Sequence, residues 1–253
     1  EYNEYALRQE AAELGVEVTQ AEVDEAVKRP RYDYDEFLKY DTQTLYSDAT
    51  LKPDFFAAID PHPFVDPKTG DKYLYFCRDG AAGINHTWLY GVKMTDWATP
   101  QYDTLTRMFC TDDGGYESAG NPTTEGPQMT YNPSNGKYYL TFSVNDYNKS
   151  DYCVAQAVGN APLGDGQDTF VKIKRDKGGL IMDSGDTNGK VSGSGHHSFF
   201  NYKGQMYAIY HRHSNPATGG TQRELAVDTV TWVTNPDNLP VLHMNGCTTT
   251  LQP

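Results

Sequence analysis

Three residues of this sequence have the types and placement to do chemistry together: Asp60, Glu125 and His196, which stand at corresponding points of three similar segments. Two carboxylates brought to one place repel, so one keeps its proton near neutrality and acts as an acid while the other stays ionised. A histidine beside them is either a hydrogen-bonded core residue or the neighbour of a metal ion. Acid catalysis by a paired carboxylate is therefore the chemistry to look for, provided that the fold gathers the three.

The similarity between the segments supplies the means. Ile59-Asp-Pro-His-Pro-Phe-Val-Asp-Pro with Gly70-Asp-Lys-Tyr-Leu-Tyr-Phe76 can be laid over Glu125-Gly-Pro-Gln-Met-Thr-Tyr with Gly136-Lys-Tyr-Tyr-Leu-Thr-Phe142, and both over Gly195-His-His-Ser-Phe-Phe with Gly204-Gln-Met-Tyr-Ala-Ile-Tyr210. Lys72 and Lys137 are 65 residues apart, and Lys137 and Gln205 are 68 apart. In each unit a polar residue precedes a short strand, a Gly-containing turn follows, and an aromatic strand comes next. Further strands are predicted at Thr87–Val92, Val154–Val158 and Glu224–Trp232. About four short antiparallel strands per unit at this period describe the blade of a β-propeller. The innermost strand of each blade lines the axis, so the polar residues at the three strand entrances converge on one central pocket. A β-sandwich with coincident Gly-Lys-Tyr-Tyr turns is the competing all-β arrangement.

Three blades do not close a ring, because propellers use about four to eight. Either a second polypeptide carries the N-terminal blades, or this chain is the C-terminal portion of a longer protein. Residues 1–55 do not supply two more. Leu7, Ala11 and Leu14 have helical spacing, Thr19 to Glu22 is a capping box before Val23, Ala26 and Val27, and Pro30 ends that helix. The expected organisation is a helical hairpin and connector over residues 1–55, then the C-terminal part of a propeller over residues 56–253.

Composition narrows the partners. With 21 Lys and Arg against 34 Asp and Glu, the 253-residue chain carries a formal charge of −13, which argues against nucleic acid or an anionic membrane as the main partner. No apolar run approaches the roughly 20 residues of a membrane-spanning helix. The 19 Tyr, 23 Gly and 14 Pro favour short strands joined by tight turns. Cys77, Cys110, Cys153 and Cys247 form no Cys-x-x-Cys pair, so neither a zinc ribbon nor a thioredoxin-type site is indicated.

Other residues are assigned blander roles. His197, His211 and His213 have no metal-ligand spacing and are read as surface or packing residues. Asp112-Asp113 before two glycines reads as a solvated turn, since the EF-hand spacing is absent. Tyr73, Tyr138 and Tyr139 read as strand packing. Trp88 and Tyr147 are candidates for stacking on a sugar ring.

Ile59-Asp60-Pro61, Glu125-Gly126-Pro127 before Gly-Lys-Tyr-Tyr-Leu, and Gly193-Ser-Gly-His196-His-Ser198 resemble, in that order, signature segments of family 43 glycoside hydrolases. Arg223-Glu-Leu-Ala-Val-Asp-Thr-Val-Thr-Trp232 and Gly246-Cys-Thr-Thr-Thr250 resemble the last blade and exit of that family. The resemblance implies a five-bladed propeller and an inverting glycosidase acting on arabinofuranosyl or xylosyl linkages of plant polysaccharide, α-L-arabinofuranosidase preferred. By that resemblance Glu125 is the general acid, Asp60 raises its pKa and orients it, His196 lies near the axis beside a hydrated calcium ion, and Arg223 contacts a sugar hydroxyl. The family's general base is an aspartate of the first blade. Asp33, Asp35 and Asp41 lack a following Pro and aromatic strand, so the base is expected outside this chain. Two readings stand beside this one: a retaining fructosidase, whose class shows Arg-Asp-Pro and Glu-Cys-Pro instead, and a non-catalytic sugar-binding propeller that has lost its base.

Overall fold

The computed structural model describes residues 57–79, 87–110, 123–182 and 190–249. The helical hairpin expected within residues 1–55, the Asp112-Asp113 turn and the candidate bases Asp33, Asp35 and Asp41 lie outside the described residues.

Within them the chain is all-β, in three antiparallel sheets that follow one another in sequence. Strands β1 (Ala57–Val65), β2 (Lys72–Asp79), β3 (Trp88–Asp96), β4 (Thr99–Pro100) and β5 (Thr106–Cys110) make the first sheet. Its order is β1-β2-β3-β4, with β5 also paired to β3. The central sheet contains β6 (Thr124–Asn132), β7 (Lys137–Val144), β8 (Cys153–Gly159), β9 (Val171–Lys172) and β10 (Leu180–Met182). Here the order is β10-β8-β7-β6, with β9 on β8. The third sheet is β11 (Gly195–Tyr202), β12 (Gln205–His213), β13 (Arg223–Thr234) and β14 (Pro240–Met244), in that order. Each is a meander that starts at its inner strand, as the repeat requires of a propeller blade.

Local chemistry sets the hairpins. Asp66 accepts from the Lys68 amide at 3.0 Å and the Thr69 hydroxyl at 3.1 Å, and Gly70 closes the turn at φ 77°. Asn132 and Gly136 repeat this between β6 and β7: Asn132 accepts from the Ser134 amide at 2.9 Å and Gly136 has φ 71°. Between β11 and β12 only Lys203 and Gly204 intervene, both left-handed, the two-residue turn whose twist suits a hairpin.

Packing explains why β7 reads as a nearly unbroken apolar run: both faces of the central sheet are covered. Tyr138, Leu140 and Phe142 join Tyr75, Cys77, Leu89 and Phe109 in the core shared with the first sheet. Tyr139 and Val154 join Ala208, Tyr210, Val230 and Leu242 in the core shared with the third. The packing role expected of Tyr73, Tyr138 and Tyr139 is what the structure shows, since all three are buried. The Tyr138 hydroxyl donates to Asp66 at 2.9 Å, which ties the second hairpin to the turn of the first. Buried Gln156 links the central and third sheets, donating to the Leu242 carbonyl and accepting from its amide at 2.9 and 3.0 Å.

Candidate active site

The three inner strands share an irregularity that the repeat alone does not reveal. Pairing of β1 with β2 slips between Ile59 and His62, that of β6 with β7 between Glu125 and Gln128, and that of β11 with β12 between Gly195 and Ser198. Each slip is a β-bulge, which bends a strand and re-aims a side chain. At each bulge one residue is left-handed: Asp60 at φ 56°, Gly126 at 57° and His196 at 54°. Glycine adopts this conformation freely, while Asp and His accept it at a cost of about 1–3 kcal/mol. A left-handed bulge repeated at one level of three blades, strained at Asp60 and His196, marks the place that the fold is built to shape.

The bulges correct the overlay of the segments by one residue. Gly126, and not Glu125, is the counterpart of Asp60 and His196, and all three lie inside their strands, where entrances before the strands were expected. Glu125 corresponds to Ile59 and Gly195, the residues on the other side of the kink.

This arrangement brings the predicted residues together. The Gly126 amide donates to Asp60 Oδ2 at 3.0 Å. His196 Nε2 lies 3.8 Å from Asp60 Oδ1, with the imidazole 46% exposed and the aspartate side chain 18%. A methyl group on Gly126 would rest 3.5 Å from the His196 ring. Glu125 Oε1 accepts from the Tyr152 phenol at 2.6 Å. Asp60, Glu125 and His196 therefore occupy one site at the inner strands of three adjacent sheets.

Residues that sequence reasoning passed over build the floor. Tyr152 is fully buried, and burial first, then the charge of Glu125, pushes its phenol well above its ordinary pKa, so it remains a protonated donor. Its ring lies parallel to His211, 7° between planes and 5.5 Å between centroids, and His211 in turn faces His196 at 6.3 Å. Burial, with the nearby charge of Arg223, lowers the His211 pKa to about 4, so this imidazole is neutral at pH 7. Ser143, paired directly opposite Glu125, accepts from the His196 amide at 2.8 Å. The hairpin fold-back would have found Ser143, because the repeat fixes which residue of β7 faces Glu125. No motif marked Tyr152. His197 and His213 are buried packing residues, as expected: His197 Nε2 meets Thr141 Oγ1 at 2.6 Å and His213 Nδ1 meets Ser192 Oγ at 2.9 Å.

Of the three residues proposed for sugar contact, Arg223 and Tyr147 lie together and Trp88 is placed differently. The Arg223 guanidinium lies 4.9 Å above the ring of half-exposed Tyr147, and its charge reaches His211. That is a position on the rim of the site. Trp88 begins β3, and its ring is occupied by Arg78 at 4.4 Å and Arg107 at 5.0 Å. Calcium takes about six to eight oxygens. Among the described residues no group of three metal-ligating side chains gathers.

Comparison with known proteins decides the family. The sequence matches Glycosyl hydrolases family 43 over residues 45–239. The chain belongs to that family. No curated protein matches it. Among solved structures it is similar to a thermostable family-43 glycoside hydrolase, with 25% identity over 78% of this chain and 60% of that one and a TM-score of 0.62. It is also similar to an endo-1,4-beta-xylanase from Bacteroides thetaiotaomicron VPI-5482, with 25% identity, coverage of 76% and 60%, and a TM-score of 0.57. An alpha-L-arabinofuranosidase from Lactobacillus brevis shares the fold at 20% identity, coverage of 73% and 55%, and a TM-score of 0.54. This family-43 chain thus spans 55 to 60% of the length of these relatives, and its three sheets are blades of a β-propeller.

Proposed function

We propose that this family-43 chain carries the acid half of an inverting glycosidase that cleaves arabinofuranosyl or xylosyl linkages, α-L-arabinofuranosides preferred. The observation that carries it is the meeting of Asp60 and Glu125 across two blades, with the Gly126 amide on Asp60 and the Tyr152 phenol on Glu125. In this reading Glu125 protonates the departing glycosidic oxygen. Asp60, fixed in place by the Gly126 amide, raises the proton affinity of Glu125 through its negative charge. Arg223 and Tyr147 bind sugar at the rim, where a guanidinium offers fixed donors to hydroxyls.

The base that activates water belongs to a further part of the propeller, outside the three described blades. Inversion requires about 6.5–9.5 Å between base and acid, with water between them. Two similar structures are those of a xylanase and an arabinofuranosidase, which supports pentose-containing polysaccharide as the substrate class. Proton NMR of the first-formed product tests the reading. A sugar released with inverted anomeric configuration is expected, and a retained configuration would assign the retaining mechanism instead.

A further inference from the structure

We propose that Tyr152 is a positioning residue for Glu125: a one-way hydrogen-bond chain from the His196 amide through Ser143 and Tyr152 fixes Glu125 Oε1 as an acceptor, so that the acid carries its proton on Oε2. The proposal rests on the reading of Glu125 as the acid.

The direction of the chain follows from its last member, a carboxylate that only accepts when ionised. A backbone N–H can only donate, and that of His196 points at Ser143 Oγ at 2.8 Å. Ser143 Oγ is thereby an acceptor of one bond, and its own hydrogen is free to go onward. It goes to the Tyr152 oxygen, with which the Ser143 side chain is hydrogen-bonded. Tyr152 in turn directs its hydrogen to Glu125 Oε1 at 2.6 Å. Facing an ionised Glu125, whose oxygens only accept, Tyr152 gives its one hydrogen to Oε1, and the hydrogen of Ser143 is then the one directed at the Tyr152 oxygen. Such chains also strengthen their members through mutual polarisation.

The ring that carries the phenol has nowhere else to go. A Cβ on Gly195 would come within 2.4 Å of it, and His211 stacks on it in parallel. The bulge residue His196 thus has a backbone role beside any role of its imidazole. During proton transfer the Oε2–H bond breaks and the leaving oxygen takes the proton. Tyr152 keeps its own hydrogen throughout and donates to Oε1 in both states of the acid.

The charged and titratable groups around Glu125 are Asp60 on β1, His196 on β11, His211 on β12 and, beyond it, Arg223 on β13, together with Tyr152 itself. Substituting Tyr152 by Phe alters none of the others and keeps the stacked ring. A donor to a carboxylate favours its ionised form, so removing that donor raises the pKa of Glu125. Carbon-13 NMR of protein labelled at the glutamate carboxyl carbons reads this without turnover, with the Glu125 resonance assigned by Glu125→Gln. The expected midpoint in Tyr152→Phe lies about one pH unit above that of the unsubstituted protein. Ser143→Ala interrupts the chain without touching the buried ring, and moves the midpoint in the same direction by less. An unmoved or lowered midpoint in both variants overturns the proposal. If Glu125→Ala slows all leaving groups equally while the midpoint still rises in Tyr152→Phe, the acid role fails and the hydrogen-bond polarity stands, so the two failures are distinguishable.

Discussion

Asp60 Oδ2 accepts the backbone N–H of Gly126 at 3.0 Å, so the carboxylate of one blade is fastened by the main chain of the next, one residue past Glu125. The same bond holds two blades together and sets Asp60 beside Glu125.

Asp60→Asn should therefore act on pH dependence as well as on rate. Removing a neighbouring negative charge lowers the pKa of Glu125, and an acid is lost as pH rises through its pKa. The alkaline limb of kcat/KM is expected to move to lower pH by about one unit, with the rate at neutrality down about 10- to 100-fold. A pH–rate profile checks this, and an unmoved alkaline limb counts against the tuning role.

Two glycines of the site should respond unequally to alanine. At Gly126 the added methyl finds 3.5 Å to the His196 ring, although φ is 57°, so the cost is about 1–2 kcal/mol from the left-handed conformation. Gly195→Ala drives a methyl to 2.4 Å from the Tyr152 ring, which overpacking makes costly by about 1–3 kcal/mol and which displaces the group holding Glu125. Urea unfolding is expected to show both as destabilised. Activity per folded molecule should fall far more in Gly195→Ala.

Stability should fall in acid through buried imidazoles. Burial lowers the pKa of His197 from 6.5 to about 3 and that of His62 to about 4. A depressed folded-state pKa means that the unfolded chain takes up protons first, so the stabilisation is whole above pH 6.5 and is lost as pH falls from there toward 3. Linkage puts the loss from His197 at about 2 kcal/mol between pH 7.5 and 5. Thermal melting at those two pH values should show a lower Tm at pH 5, and His197→Gln should flatten the difference.

Arg223→Ala removes the guanidinium that covers Tyr147 at 4.9 Å on the rim. Loss of uniform sugar binding raises KM without changing kcat, and an increase of about 10-fold is expected with kcat within about 3-fold. A fall in kcat with KM unchanged would place Arg223 among groups that act only in the transition state.

How much of this was legible in the residues depends on how local the cause is. Asp66 to Gly70 and Asn132 to Gly136 have turn chemistry that sequence displays directly, and their recurrence disclosed three blades. Asp60, Glu125 and His196 were found because the same turns set a common frame. The one-residue offset of Glu125 was not legible, because a bulge depends on how two strands pair and has no fixed residue signature: an Asp, a Gly and a His fill the three left-handed positions. Tyr152 was missed, and His211 was read only as a surface or packing residue, for a related reason. They reach the site from outside the inner strands, and their stacking is a tertiary contact between the residue before β8 and a residue of β12. Trp88 shows the converse, an aromatic residue at a strand start whose ring meets two arginines.

Glu125→Ala, assayed on substrates that differ only in the leaving group, bears on the whole account. An acid is needed when the departing oxygen is a sugar alkoxide and hardly at all when it is a stabilised phenolate. The expected result is a loss of kcat/KM of about 10²–10⁴-fold on arabino- or xylo-oligosaccharide and of less than about 10-fold on the nitrophenyl glycoside. An equal loss on both would contradict Glu125 as the acid of this site.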